Sequence, residues 1–73
     1  MTIVDARGLA CPLPLTMARA RMRELAGGDV LTVLATDPEA PIDLAAWAAA
    51  EGHGYTQADR EGWTEFTITK SIR

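Results

Sequence analysis

A chain of 73 residues fits one small domain, residues 1–73, whose core is marginal unless something staples it. A single cysteine and a single histidine exclude an internal disulfide and a four-ligand zinc site. Stability must then come from regular elements on one core, which a hydrophobic content of 48%, much of it alanine, permits. The net charge of −3 argues against direct nucleic-acid binding, but it is spread unevenly: residues 1–23 carry +3 and residues 24–73 carry −6.

In chain order, Thr2-Ile3-Val4-Asp5 is short and β-prone and predicts a first strand, with Gly8 as a turn signal. The segment from Cys11-Pro12 to Gly27-Gly28 reads as a helix. Leu15, Ala18, Met22 and Leu25 form an apolar stripe of helical period, Thr16, Arg19 and Arg23 lie on a polar face, and Gly27 is placed as the stop. Val30–Ala35 is nearly all apolar and predicts an internal strand buried on both faces or nearly so. Asp37-Pro38 starts a turn. A second helix follows from about Pro41 to Glu51, with Ile42, Ala45, Ala46 and Ala49 on one face and Gly52 as its stop. His53 to Ala58 is a weak third strand, and Asp59-Arg60-Glu61-Gly62 is a turn. Thr64, Phe66 and Ile68 alternate with Glu65, Thr67 and Thr69 as a half-buried fourth strand. The order β-α-β-α-β-β predicts a two-layer α/β sandwich, with a mixed four-stranded sheet and two helices on one face.

Cys11 is the residue with chemistry to offer. It stands where a helix begins, and Pro12 and Pro14 fix the backbone angles around it. With Cys11 at the N-cap, Leu13 is the nearest residue with a free N–H, and the positive end of the helix dipole faces the sulfur, an arrangement that lowers a thiol pKa. No resolving cysteine is present, so an intramolecular disulfide cycle is excluded. His53, in Glu-Gly-His-Gly, reads as structural or exposed, Trp47 and Trp63 as packing residues, and Asp37 as a turn or cap residue. One activated sulfur without its own acid, base or pocket suits acceptance of sulfur from a donor persulfide and delivery to another thiolate. A regulatory module with a structural cysteine and a single-cysteine redox sensor are the competing readings.

The stretch Asp5-Ala6-Arg7-Gly8-Leu9-Ala10-Cys11-Pro12-Leu13-Pro14 resembles the signature of the TusA/SirA-like sulfur carriers. Gly28-Asp29, Thr36-Asp37-Pro38, Asp43 with Trp47, and Gly52-His53 extend the resemblance over nearly the whole chain, whereas Pro41-Ile42 departs from it. The resemblance implies the same sandwich and a sulfurtransferase role in which Cys11 relays persulfide sulfur without a cofactor or metal. It also implies a cysteine desulfurase or rhodanese-type donor and a downstream acceptor protein. Arg7, Arg19 and Arg23 are candidate docking residues for such partners. The opening residues show no basic region followed by an apolar run, no stretch is long enough to span a bilayer, and a free thiol suits a reducing compartment, so the chain reads as soluble, cytoplasmic and monomeric.

Overall fold

The computed structural model describes residues 2–72. Its elements run β1 (Thr2–Ala6), α1 (Leu13–Met22), β2 (Val30–Ala35), α2 (Ala40–Glu51), β3 (Gly54–Asp59) and β4 (Thr64–Thr69), in the expected order. The sheet order is β1-β2-β4-β3. β1 lies parallel to β2, while β4 is antiparallel to both β2 and β3, so the sheet is mixed. Val30–Ala35 is internal, as its apolar content predicts.

The register explains which side is covered. Val4, Val33 and Phe66 stand abreast, and so do Leu31 and Ile68. All five are buried, together with Ala18 and Met22 of α1 and Leu44 and Ala48 of α2. The opposite face keeps Ile3 and Val30 exposed and Thr32 and Leu34 half-buried. β2 is therefore buried on one face only, which corrects the expectation of burial on both: two helices in contact with each other cover a single side of the sheet.

Two helical expectations also change. α1 ends at Met22, and Gly27 lies beyond it in a loop, packed against the final segment. A Cβ at Gly27 would stand 2.8 Å from the Ile72 Cα and 3.1 Å from the Ser71 carbonyl oxygen, so the residue serves close approach and not a helix stop. Lys70 instead ties down the end of α1 and the loop after it: its Nζ donates to the Met22 oxygen at 3.0 Å and to the Leu25 oxygen. The buried face of α2 is Ala40, Leu44 and Ala48, leaving Ile42 68% exposed and Ala46 and Ala49 exposed. An alanine-rich helix offers little apolar contrast, so periodicity alone cannot phase it. Gly52 does close α2, at φ +74°.

Candidate functional site

The loop between β1 and α1 is built to hold Cys11 outward. It leaves β1 through a turn in which Leu9 N–H donates to the Ala6 oxygen at 3.2 Å, with Gly8 at φ +82°. Two bonds then tie the loop to the exit of β2. Gly8 N–H donates to Thr36 Oγ1 at 2.9 Å, and Cys11 N–H donates to Asp37 Oδ2 at 2.8 Å. The other Asp37 oxygen accepts the Glu39 N–H at 2.7 Å, so one carboxylate shapes the entry to α2 and holds the cysteine backbone. Parallel pairing of β1 and β2 makes this possible, because it brings the ends of both strands to the same edge.

Pro12, Leu13 and Pro14, expected to shape the site, follow the cysteine and have different tasks. The Cys11–Pro12 peptide is cis. Pro12 is the N-cap of α1, and its carbonyl oxygen accepts from Thr16 N–H at 2.9 Å and Thr16 Oγ1 at 3.1 Å. Pro14 is buried and anchors the first turn, whereas Leu13 is 47% exposed beside the cysteine. Two sequence expectations fail here. Cys11 lies one residue outside the N-cap, and the Leu13 N–H is not free, since it donates to the Ala10 oxygen at 2.9 Å.

The third correction concerns the sulfur. Cys11 is exposed, and its thiol donates to Asp43 Oδ2 at 2.8 Å. Asp43 sits in the first turn of α2, where the helix dipole favours a negative charge. Its hydrogen bond, aided by desolvation and by the charges of Asp43, Glu39 and Asp37, pushes the Cys11 thiol up to about 11. The expected depression is overturned because the helix end that should attract electron density is outweighed by three carboxylates. None of these acids was singled out for the site from the sequence. They lie 26 and 32 residues from Cys11 in the two bonded cases, with no local spacing to join them; the only signal was their place in Thr36-Asp37-Pro38 and at Asp43.

Cys11 Sγ and oxygens of Glu39 and Asp43 lie within 4.8 Å of one another. They supply three donors, one fewer than a closed zinc site needs, and the thiol proton is engaged by Asp43.

The three candidate docking arginines are not gathered around the sulfur. Arg7 is paired with Asp5, Nε to Oδ1 at 2.9 Å and Nη2 to Oδ2 at 2.8 Å, and its guanidinium lies 5.0 Å from the Trp63 ring centroid. Arg19 and Arg23 line a cleft of about 280 Å³ with Trp47, His53 and Lys70. They stand about 9 Å and about 15 Å along the helix axis from Leu13. His53 is structural there: its Nδ1 accepts the Ser71 N–H at 2.9 Å, and its ring meets Trp47 edge-on at 5.3 Å.

The family model described as Sulfurtransferase TusA matches residues 2–70, and the chain belongs to that family. It is 39% identical over 69 residues to the sulfur carrier protein TusA of Allochromatium vinosum, covering 93% of this chain and 91% of that one. It is also 45% identical over 60 residues to YrkF of Bacillus subtilis, covering 82% of this chain but only 32% of that longer protein. The crystal structure of a SirA-like protein from Desulfitobacterium hafniense superposes with a TM-score of 0.90 at 30% identity, covering 97% of this chain and 99% of that one. Among the described residues no helix is long and apolar enough to cross a membrane.

Proposed function

We propose that this protein is a persulfide carrier that accepts sulfur on Cys11 from a donor protein and passes it to an acceptor protein. The observation that carries the reading is the exposed Cys11 on a loop pinned by Asp37, in a chain of the TusA family. A cysteine that only filled the core would be buried, which argues against the purely structural role.

The donor is a cysteine desulfurase or rhodanese-type protein. The acceptor belongs to a relay such as transfer RNA thiolation, molybdenum-cofactor enzymes or sulfur oxidation, reached without direct nucleic-acid contact. The carrier works as a soluble cytoplasmic monomer with these partner enzymes. Leu13, exposed beside the sulfur, and Ile42, exposed next to Asp43, supply apolar contact at the tip. Arg19 and Arg23 extend the docking surface along α1 toward an acidic partner, while Arg7 is occupied by Asp5 and Trp63 and contributes chiefly to loop shape.

Incubation with purified cysteine desulfurase and cysteine, followed by mass spectrometry, tests this. Cys11 gains about 32 Da per sulfur, a gain removed by reductant, and Cys11→Ser gains none. Loading of the serine variant would refute the assignment. Arg19→Glu with Arg23→Glu slows loading through weaker association, an effect that shrinks with added salt.

A further inference from the structure

An attacking thiol sulfur keeps no proton once it is bonded to a second sulfur, so an acceptor that reacts from its thiol form must discard one. The geometry points to Asp43 as the catalytic residue that takes the Cys11 proton during sulfur transfer. This rests on the carrier reading above and adds a residue to its chemistry.

The argument is geometric first. Asp43 Oδ2 accepts the Cys11 thiol hydrogen at 2.8 Å, within the reach a general base requires. The two groups come from separate parts of the chain, and each is fixed independently. Cys11 is held through its N–H by Asp37, and Asp43 is fixed within the first turn of α2, where its N–H donates to the Glu39 oxygen at 3.0 Å. Among the described residues no basic side chain acts on the sulfur. The charged groups acting on the sulfur are Asp43, Glu39 and Asp37, all acidic. Arg7 of the β1–α1 loop is bound to Asp5, and the first charged residue of α1 is Arg19, well down the helix. These surroundings favour the protonated thiol, which protects a solvent-exposed sulfur from oxidation between partners. They also mean that the free thiolate is a minor species near neutral pH, so transfer benefits from a proton acceptor already in place.

The step balances without an oxidant. Cys11 Sγ attacks the terminal sulfur of the donor persulfide R–S–SH, and a new S–S bond forms. The donor's S–S bond breaks, and its electron pair leaves on R–S⁻. The Cys11 proton passes to Asp43 Oδ2 as the new bond forms and is then given up to the leaving thiolate. The products are Cys11–S–SH and R–SH. Full proton transfer before attack is unfavourable for so weak an acid. Loss of the proton is therefore concerted with S–S bond formation, when the sulfur becomes more acidic.

The test compares the wild type with Asp43→Asn and Asp43→Glu, using glutathione persulfide as donor and the gain of about 32 Da on Cys11 as readout. The ratio of wild-type to variant rate cancels the donor's own ionisation. Asp43→Asn must wait for thiolate, so its rate climbs with pH while the wild type depends on pH far less. The ratio of wild type to Asp43→Asn therefore falls more than tenfold between pH 7 and pH 9, and Asp43→Glu follows the wild type. A constant ratio across that range would overturn the proposal. If Asp43→Asn does not fold by circular dichroism, Asp43→Glu and the wild type still decide. Profiles that, after division by the rate of a small thiol with the same donor to remove the donor's ionisation, both rise about tenfold per pH unit would show reaction through free thiolate and reject the role. Failure of the carrier reading looks different: Cys11 takes sulfur from glutathione persulfide but none from a cysteine desulfurase supplied with cysteine.

Discussion

Asp37 is the residue on which the site's shape most depends, and its removal has a calculable effect. Its two oxygens accept the Cys11 N–H at 2.8 Å and the Glu39 N–H at 2.7 Å. Hydrogen bonds to a charged acceptor contribute about 1.5–3 kcal/mol each when well shielded. The second bond closes a local turn just before α2 and adds about 0.5–1.5 kcal/mol. Asp37 is half-buried, which places each bond near the lower end of its range. Asp37→Ala therefore costs about 2 kcal/mol. The whole domain is stable by about 4–11 kcal/mol at 0.05–0.15 kcal/mol per residue. With a urea m-value of about 1 kcal/mol/M, the unfolding midpoint drops by about 2 M. Asp37→Asn keeps acceptor oxygen but loses the charge and shows about half that shift. Amide hydrogen exchange reads the local effect: the Cys11 amide exchanges faster in both variants. A midpoint shift below about 0.5 M for Asp37→Ala, with Cys11 exchange unchanged, would refute the assignment of loop positioning to this carboxylate.

Two further outcomes follow from the same coordinates. A thiolate-absorbance titration is expected to place the Cys11 ionisation near pH 11, and Asp43→Asn, which removes the carboxylate, to move it down. Because the folded value lies above the ordinary 9.0, the group's contribution to stability is complete below about pH 9 and is lost as pH rises toward about 11, and Cys11→Ser removes that alkaline component. Gly27→Ala places its Cβ 2.8 Å from backbone and lowers the melting temperature by more than Gly8→Ala, which meets nothing within 4 Å and bears only the strain of φ +82°. The cost is about 1–3 kcal/mol for the first and about 1–2 kcal/mol for the second, read by thermal unfolding.

The fold was legible in the sequence wherever burial left a periodic trace. β4 alternates Thr64, Phe66 and Ile68 against polar neighbours, and those three side chains face the helices, with Phe66 and Ile68 fully buried. The stripe of α1 predicts Ala18 and Met22 in the core, where both lie. Where contrast was missing the reading failed, as in α2, whose alanines look alike on every side. Cys11 itself was visible from local grammar, because prolines at a helix start have local consequences. The electrostatics around it were not, since Asp37, Glu39 and Asp43 reach the sulfur only after β2 is paired beside β1 and α2 is folded back. Counting Arg7, Arg19, Arg21 and Arg23 at the cysteine end gave the right sign for the segment and the wrong sign for the sulfur's own surroundings. Charge near a site in sequence is a poor guide when the site is assembled across strands.

The last strand in sequence lies inside the sheet, between β2 and β3. A nascent chain that has delivered β1 to β3 from the ribosome has a gap where Phe66 and Ile68 belong, and neither β2 nor β3 has its antiparallel neighbour. The Cys11 loop can already form its local turns, but the layer against which α1 and α2 rest closes only when Thr64–Thr69 arrives. Folding of this domain is thereby deferred until Thr64–Thr69 has been synthesised, and a product cut short before β4 lacks two ladders at once. Such fragments leave the apolar strand Val30–Ala35 without its antiparallel neighbour, an edge that favours aggregation over the native fold.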